Sequence, residues 1–264
     1  MHDSGLSGGR NNTTGIDTSV TGCSLLVSAS RDKSVKFWDL ETGYCQHTIT
    51  DHNDWVRCVA VRASDGSAMA TAGNDTCIFV YSIEHGSGSH EEFGSQQCVK
   101  VATLTGHDHV IESIAFVTSQ PSSSAKSASN TNGTTSPTSS VTSSLSNSKT
   151  SREKHADKIK DYLASGSRDK TVKLWNIKTQ SCIASFEHHK NWVRSVILHP
   201  SGKYILSSSD DRTIRVMEIH SQRCLRTLTD AHTHFVTSIS MHHSFPILVS
   251  GGVDQTVRCW QLDN

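Results

Sequence analysis

The chain has 264 residues, with 25 Lys and Arg against 25 Asp and Glu, and 16 His. A formal net charge of zero excludes binding to nucleic acid or an anionic membrane through a global basic field, since both need clustered Lys and Arg. No apolar run approaches the ~18 residues of a membrane span and no basic, apolar leader opens the chain, so the expected compartment is the cytosol.

Residues 1–22 are rich in Gly, Ser, Thr and Asn and supply no convincing strand ahead of SLLVSAS, so an atypical start is expected, followed by a repeat region over 23–264. VSASRDKSVKFWDL around Asp32, ATAGNDTCIFVYSI around Asp75, ASGSRDKTVKLWNI around Asp169, SSSDDRTIRVMEI around Asp211 and VSGGVDQTVRCWQL around Asp254 align at spacings of 43, 94, 42 and 43. The interval of 94 holds no further copy and reads as one period of about 42 residues with about 52 inserted. Each copy alternates Val- and Ile-rich apolar positions with polar ones, the period-2 pattern of short strands. Four strands in a period of ~40–45 residues make one blade of a β-propeller, so the expected fold is all-β with five blades, the first and last incomplete.

Each unit also repeats a His, a Ser or Thr, an Asp and an aromatic position. His52 pairs with Asp75, His107 with Asp169, His189 with Asp211 and His232 with Asp254. Ser28, Thr71, Ser165, Ser207 and Ser250 precede the Asp by four residues, and Trp38, Tyr81, Trp175, Met217 and Trp260 follow it by six. These types can form a chain from indole N–H to hydroxyl to imidazole to carboxylate. A Ser, a His and an Asp also invite a catalytic reading, but their repetition, with no G-x-S-x-G motif, makes them blade staples. Met217 cannot donate a hydrogen bond, which predicts a looser fourth blade.

Two insertions are expected to be disordered: 84–97, between the third and fourth strands of the second blade, and 118–157, between the first and second strands of the third. Residues 118–151 hold 21 Ser or Thr among 34, too little apolar surface to offset ordering. Because successive strands alternate in direction, both insertions open on one face and leave the other clear. Cys45, Cys182 and Cys224 recur seven residues after the aromatic position, with Cys98 taking that place after an insertion, and read as small buried hydrophobes.

The clear face carries Arg31, Asn74, Arg168, Asp210 and Val253 just before each Asp, Trp55, Val110, Trp192 and Phe235 three after each His, and Arg57, Glu112, Arg194 and Thr237 five after. With Lys33, Lys170 and Arg212 they predict a basic, aromatic rim of the residue types enriched in interface hot spots.

The motifs SASRDKSVKFWDLETGYC, DHNDWVR, SGSRDKTVKLWNI, NWVRSV, AHTHFVTS and GGVDQTVRCW resemble the lissencephaly-1, or nuclear distribution, family of WD40-repeat proteins over about residues 24–262; S-R-D-K and W-V-R are not part of the general WD40 pattern. The resemblance implies a seven-bladed ring of which this chain is the last five blades, without the family's dimerising region, so that a homodimer needs an upstream segment. It implies a non-catalytic scaffold, without cofactor or metal, that regulates cytoplasmic dynein in microtubule-based transport, nuclear migration and mitosis, at the cytoskeleton and centrosome. The implied partners are the dynein motor domain, nuclear-distribution coiled-coil proteins and the catalytic subunits of platelet-activating-factor acetylhydrolase. Motif by motif, the family's motor-contacting residues fall on Arg31, Arg57, Arg168, Trp192 and Arg212. Trp55, Arg194, Lys33 and Lys170 extend the same face. Met217, the long insertion and the unfamiliar start depart from the family pattern. The alternative is a substrate receptor of a ubiquitin ligase, whose usual Arg two residues beyond the Trp-Asp pair is replaced here by Glu41 and Lys178.

Overall fold

The alternating segments become short antiparallel strands in the computed structural model, which describes residues 25–62, 66–83, 98–117, 161–242 and 245–261. The first sheet holds β1 (Leu25–Ala29), β2 (Val35–Asp39) and β3 (Cys45–Ile49). The second holds β4 (Val56–Val61), β5 (Ala68–Gly73), β6 (Ile78–Ile83) and β7 (Cys98–Leu104). The third holds β8 (Ile111–Phe116), β9 (Tyr162–Ser167), β10 (Val172–Asn176) and β11 (Ser181–Phe186). The fourth holds β12 (Val193–Leu198), β13 (Tyr204–Ser209), β14 (Ile214–Glu218) and β15 (Cys224–Leu228). The fifth holds β16 (Val236–Met241), β17 (Ile247–Gly252) and β18 (Val257–Gln261). Each sheet is an up-and-down meander in chain order, there is no helix among the described residues, and the all-β architecture of five blades is as expected. The insertions at 84–97 and 118–157 and the start at 1–22 lie outside the described residues; their flanks join β6 to β7 and β8 to β9, as the repeat frame requires.

The leading strands of neighbouring sheets stand side by side, β4 against β8, β8 against β12 and β12 against β16, while β1 contacts β4. The end of β8 runs parallel to that of β12, where Val117 bridges Leu198. Among the described residues, none of the principal strand contacts joins the fifth sheet to the first.

Apolar clusters fill the spaces between blades. Val35, Phe37, Met69 and Tyr81 pack between the first and second blades, and Val80, Leu104, Ile114 and Trp175 between the second and third. Leu174, Phe186, Val196 and Met217 fill the next space, and Leu206, Ile214, Val236 and Leu248 the last. A lone blade has no second layer on which to bury such a face, so each depends on its neighbour. On the terminal blades Leu26 and Val257 are left exposed.

The cysteine expectation needs correcting. Cys45 and Cys182 are exposed, Cys224 is half-buried and only Cys98 is buried. Cys45, Cys182 and Cys224 sit on outer strands opposite Trp38, Trp175 and Met217, where a β-bulge shifts the register. There each thiol contacts a carbonyl two residues on in its own strand: His47 O at 3.5 Å, Ala184 O at 3.4 Å and Arg226 O at 3.3 Å. Cys98 is not their counterpart. Lys100 stands opposite Tyr81 in that register, and Cys98 pairs with Ile83.

One glycine is demanded by close approach. A Cβ on Gly73 would lie 1.9 Å from the Trp55 carbonyl oxygen, which accepts a hydrogen bond from the Asn74 amide at 2.9 Å. Gly73→Ala must displace the backbone at Trp55, where the chain enters β4, and a loss of about 3 kcal/mol is expected. Urea unfolding followed by tryptophan fluorescence measures it, and a change below about 0.5 kcal/mol would contradict this geometry.

Candidate protein-binding site

The candidate rim is built on turns held by the recurrent His and Asp. Each His lies on a blade-to-blade connection and each Asp in the turn between the second and third strands of a full blade. His Nδ1 meets the carboxylate at 2.7 Å for His52–Asp75, 2.6 Å for His107–Asp169, 2.8 Å for His189–Asp211 and 2.9 Å for His232–Asp254. Nε2 meets Thr71 at 2.8 Å, Ser165 at 2.7 Å, Ser207 at 2.7 Å and Ser250 at 2.8 Å. Trp175 Nε1 donates to Ser165 Oγ at 2.8 Å, Trp260 to Ser250 at 2.9 Å and Trp38 to Ser28 at 2.8 Å. An ionised carboxylate only accepts, so each Nδ1 carries the proton and donates it, leaving Nε2 to accept from the hydroxyl.

Two of the four His-paired units depart from the full chain of bonds. Met217 is fully buried and offers no donor to Ser207. The Tyr81 hydroxyl donates to Asp51 Oδ2 at 3.0 Å, since the phenol extends farther than an indole N–H.

The Asp closes its own turn in every unit and does a second job in four. In all five turns Oδ1 accepts the amide of the residue two positions on: Ser34 at 3.0 Å, Cys77 at 3.3 Å, Thr171 at 2.8 Å, Thr213 at 3.0 Å and Thr256 at 3.1 Å. The residue between, Lys33, Thr76, Lys170, Arg212 or Gln255, takes a left-handed φ of 73°, 62°, 72°, 68° or 63°. In the four His-paired units Oδ2 also accepts the amide just after the His, from Asn53 at 3.2 Å, Asp108 at 3.2 Å, Lys190 at 3.0 Å and Thr233 at 3.0 Å. One carboxylate thus closes its turn and fastens the preceding connection. The Ser–His–Asp geometry resembles a hydrolytic triad, yet Ser165 and Ser207 are 0% exposed, so no substrate reaches either hydroxyl.

Burial pushes the carboxyls of Asp169 and Asp211 up, but hydrogen bonds from His107 and Thr171, and from His189, Thr213 and the Lys190 amide, prevail and hold both well below the usual carboxylate range. Between these values and the unfolded value of about 3.9 the unfolded chain binds more protons. The staples therefore contribute fully above about pH 4 and lose their contribution as pH falls through the folded values. The urea midpoint should drop between about pH 4 and 2, more steeply in the parent than in Asp169→Ala. Equal slopes would contradict the assignment.

On these turns and on the leading strands, the rim residues come together as two stacks. Arg31 lies over the Trp55 ring at 4.7 Å and Arg57 at 5.8 Å. Arg168 lies over Trp192 at 4.4 Å and Arg194 at 5.0 Å. Cation–π contacts of this kind add ~0.5–2 kcal/mol each and hold both partners flat. Arg57 Nε donates to Asn74 Oδ1 at 2.6 Å, and Arg194 makes a bidentate pair with Asp210 at 2.8 Å in each arm. That pair raises the Arg194 value despite partial burial. Lys33, Lys170 and Arg212 are exposed on the left-handed turn positions, outside either stack.

Between the stacks sits Glu112, which the repeat frame places on this face but which the sequence did not mark as a binding residue. Glu112 Oε1 accepts from Arg168 Nε and lies 3.6 Å from Arg194, and Oε2 lies 3.7 Å from Arg57. A shallow cavity of about 200 Å³ opens beside it, lined by Ala29, Arg31, Trp55, Val56, Arg57 and Glu112. The only signal in the sequence was an acid where two other blades carry Arg57 and Arg194.

Nuclear distribution protein PAC1 of Arthroderma otae is 35% identical to this chain over 237 residues, 89% of this chain and 45% of that protein. Nuclear distribution protein PAC1 of Coccidioides posadasii is 34% identical over 239 residues, covering 89% and 43%. Nuclear distribution protein nudF of Aspergillus niger is 31% identical over 213 residues, covering 81% and 41%. The chain thus spans under half the length of these curated relatives, and the resemblance read from its motifs is borne out as a similarity to them. The sequence profile of the WD domain, G-beta repeat, matches residues 9–39, 43–82, 130–176, 180–217 and 222–261. The five matches end in β2, β6, β10, β14 and β18, the strands that carry the aromatic position of each unit. With that profile in agreement with five sheets, four of them stapled by a His–Asp pair, the chain belongs to the WD40-repeat family.

Proposed function

We propose that this chain is a non-catalytic interaction scaffold of the dynein pathway that binds the motor domain of cytoplasmic dynein through Arg31, Arg57, Arg168, Trp192 and Arg212, and so acts in nuclear migration, microtubule-based transport and mitosis. The observation that carries the reading is the pair of Arg–Trp–Arg stacks on one rim. Arg and Trp dominate interface hot spots because they join large contact area to directed charge. Similarity to proteins named for nuclear distribution supports the choice of partner. Trp55, Arg194, Lys33 and Lys170 extend the contact. The scaffold alters the motor by binding one of its conformations more tightly than another.

On the same reading the chain works in the cytoplasm, at the cytoskeleton and centrosome. Nuclear-distribution coiled-coil proteins and platelet-activating-factor acetylhydrolase catalytic subunits are its further partners. Titrating purified motor domain with the chain tests the proposal. Saturable binding that weakens as salt rises is expected, because the rim is cationic. No saturable binding at low salt would overturn it.

A further inference from the structure

We infer that Glu112 is the positioning residue of this rim: its carboxylate holds Arg168 by the Nε edge and stands between Arg57 and Arg194, so that arginines from three blades converge on it, and without it the rim keeps its arginines but loses its shape. The inference rests on the proposed function for the meaning of the rim, and on geometry alone for the role of Glu112.

Glu112, Arg57 and Arg194 are the second residues of β8, β4 and β12. These strands are neighbours, so their second positions form a row in which a carboxylate stands between two guanidiniums. In the second and fourth blades the leading strand supplies the cation and the following turn the acceptor, Arg57 with Asn74 and Arg194 with Asp210. In the third blade the roles are reversed: the strand supplies Glu112 and the turn supplies Arg168. This reversal places Arg168 against the Trp192 ring of the next blade, at 4.4 Å.

An arginine at position 112 would leave Arg168 with no acceptor on its own leading strand and would line up three like charges. The carboxylate instead ties down the Nε edge of Arg168, leaving its outer edge free for a partner. The Glu112 side chain is 12% exposed and those of Arg57, Arg168 and Arg194 are 19–25% exposed, so solvent screens these pairs only in part. Arg31, for which no acid partner is seen among the described residues, relies on the Trp55 ring alone.

A screening role and a positioning role predict opposite results for Glu112→Gln, which removes the charge at constant size. If Glu112 only screens, its removal strengthens the cationic field and speeds association with an acidic partner. If it positions, dissociation from the motor domain accelerates about tenfold while association changes less than about threefold. The full chain is used, with three readouts: arginine Nε–H NMR signals, association and dissociation rates against purified motor domain, and the urea midpoint. The expected result is loss of the protected Arg168 Nε–H signal together with the faster dissociation.

An unchanged Arg168 signal overturns the inference whether or not the motor domain binds. So does a lost signal with unaltered dissociation, or tighter binding through faster association. Failure of the parent chain to bind the motor domain would instead sink the proposed function, and the arginine signal would then decide the role of Glu112. Should Glu112→Gln unfold, Arg168→Lys, which keeps the charge but removes the planar fork, must show the same faster dissociation; parent-like kinetics in that variant overturn the inference.

Discussion

Asp169→Ala is expected to destabilise the protein by about 4 kcal/mol, enough to unfold a large fraction of a marginally stable chain. The truncation strands the Nδ1–H of His107, which is buried, and the amides of Asp108 and Thr171, and it removes the acceptor of the Thr171 hydroxyl at 2.7 Å. Each charge-assisted bond contributes ~1.5–3 kcal/mol, and a buried donor left unpaired adds its desolvation cost. The unit is coupled further, because freeing His107 loosens Ser165 and through it Trp175, a fully buried member of the layer between the second and third blades. Asp32→Ala is the internal control. Among the described residues its carboxylate serves only its own turn, bonding the Ser34 amide and hydroxyl, so its effect should be much smaller. Urea unfolding of the two variants compares them directly, and equal midpoints would remove the His–Asp pair as the fastening element.

The second large effect concerns binding. Arg168→Ala combined with Trp192→Ala is expected to weaken binding to the motor domain by about 100-fold, or ~2.7 kcal/mol, with the folded state retained. Retention is expected because both side chains remain partly exposed, unlike the staple residues beneath them. The two substitutions should be less than additive, since removing either member dissolves the stack that the other shares. Arg212→Ala should cost less, as its side chain is exposed and belongs to neither stack. A folded double variant that binds within threefold of the parent would show that the working surface lies elsewhere.

The blades and their fastenings were legible because both depend on one-dimensional spacing: a period near 43, an alternation of two, and fixed offsets between His, Ser and Asp. What stayed hidden depends on convergence between blades. Glu112 reads as an odd acid in an arginine column until Arg57, Arg168 and Arg194 are seen to meet on it. The insertion before β7 shifted the frame, so Cys98 was matched where Lys100 belongs, and Lys100 in fact pairs with Asp51 at 3.3 Å and lies over Phe79 at 4.8 Å. Exposure of Cys45 and Cys182 was equally unreadable. A recurring small residue looks like packing, but a bulge on an outer strand turns it toward solvent.

The left-handed turn residues bear on any attempt to make this protein hardier. Glycine adopts the φ of Lys33, Lys170 and Arg212 without the ~1–2 kcal/mol that a side chain costs there, so heat-resistant variants selected for melting temperature alone should accumulate glycine at these three positions. Each such gain would strip a cation from the rim. On the proposed function, thermal hardening and partner recognition compete for the same three residues, and a screen that rewards only the first would erode the second.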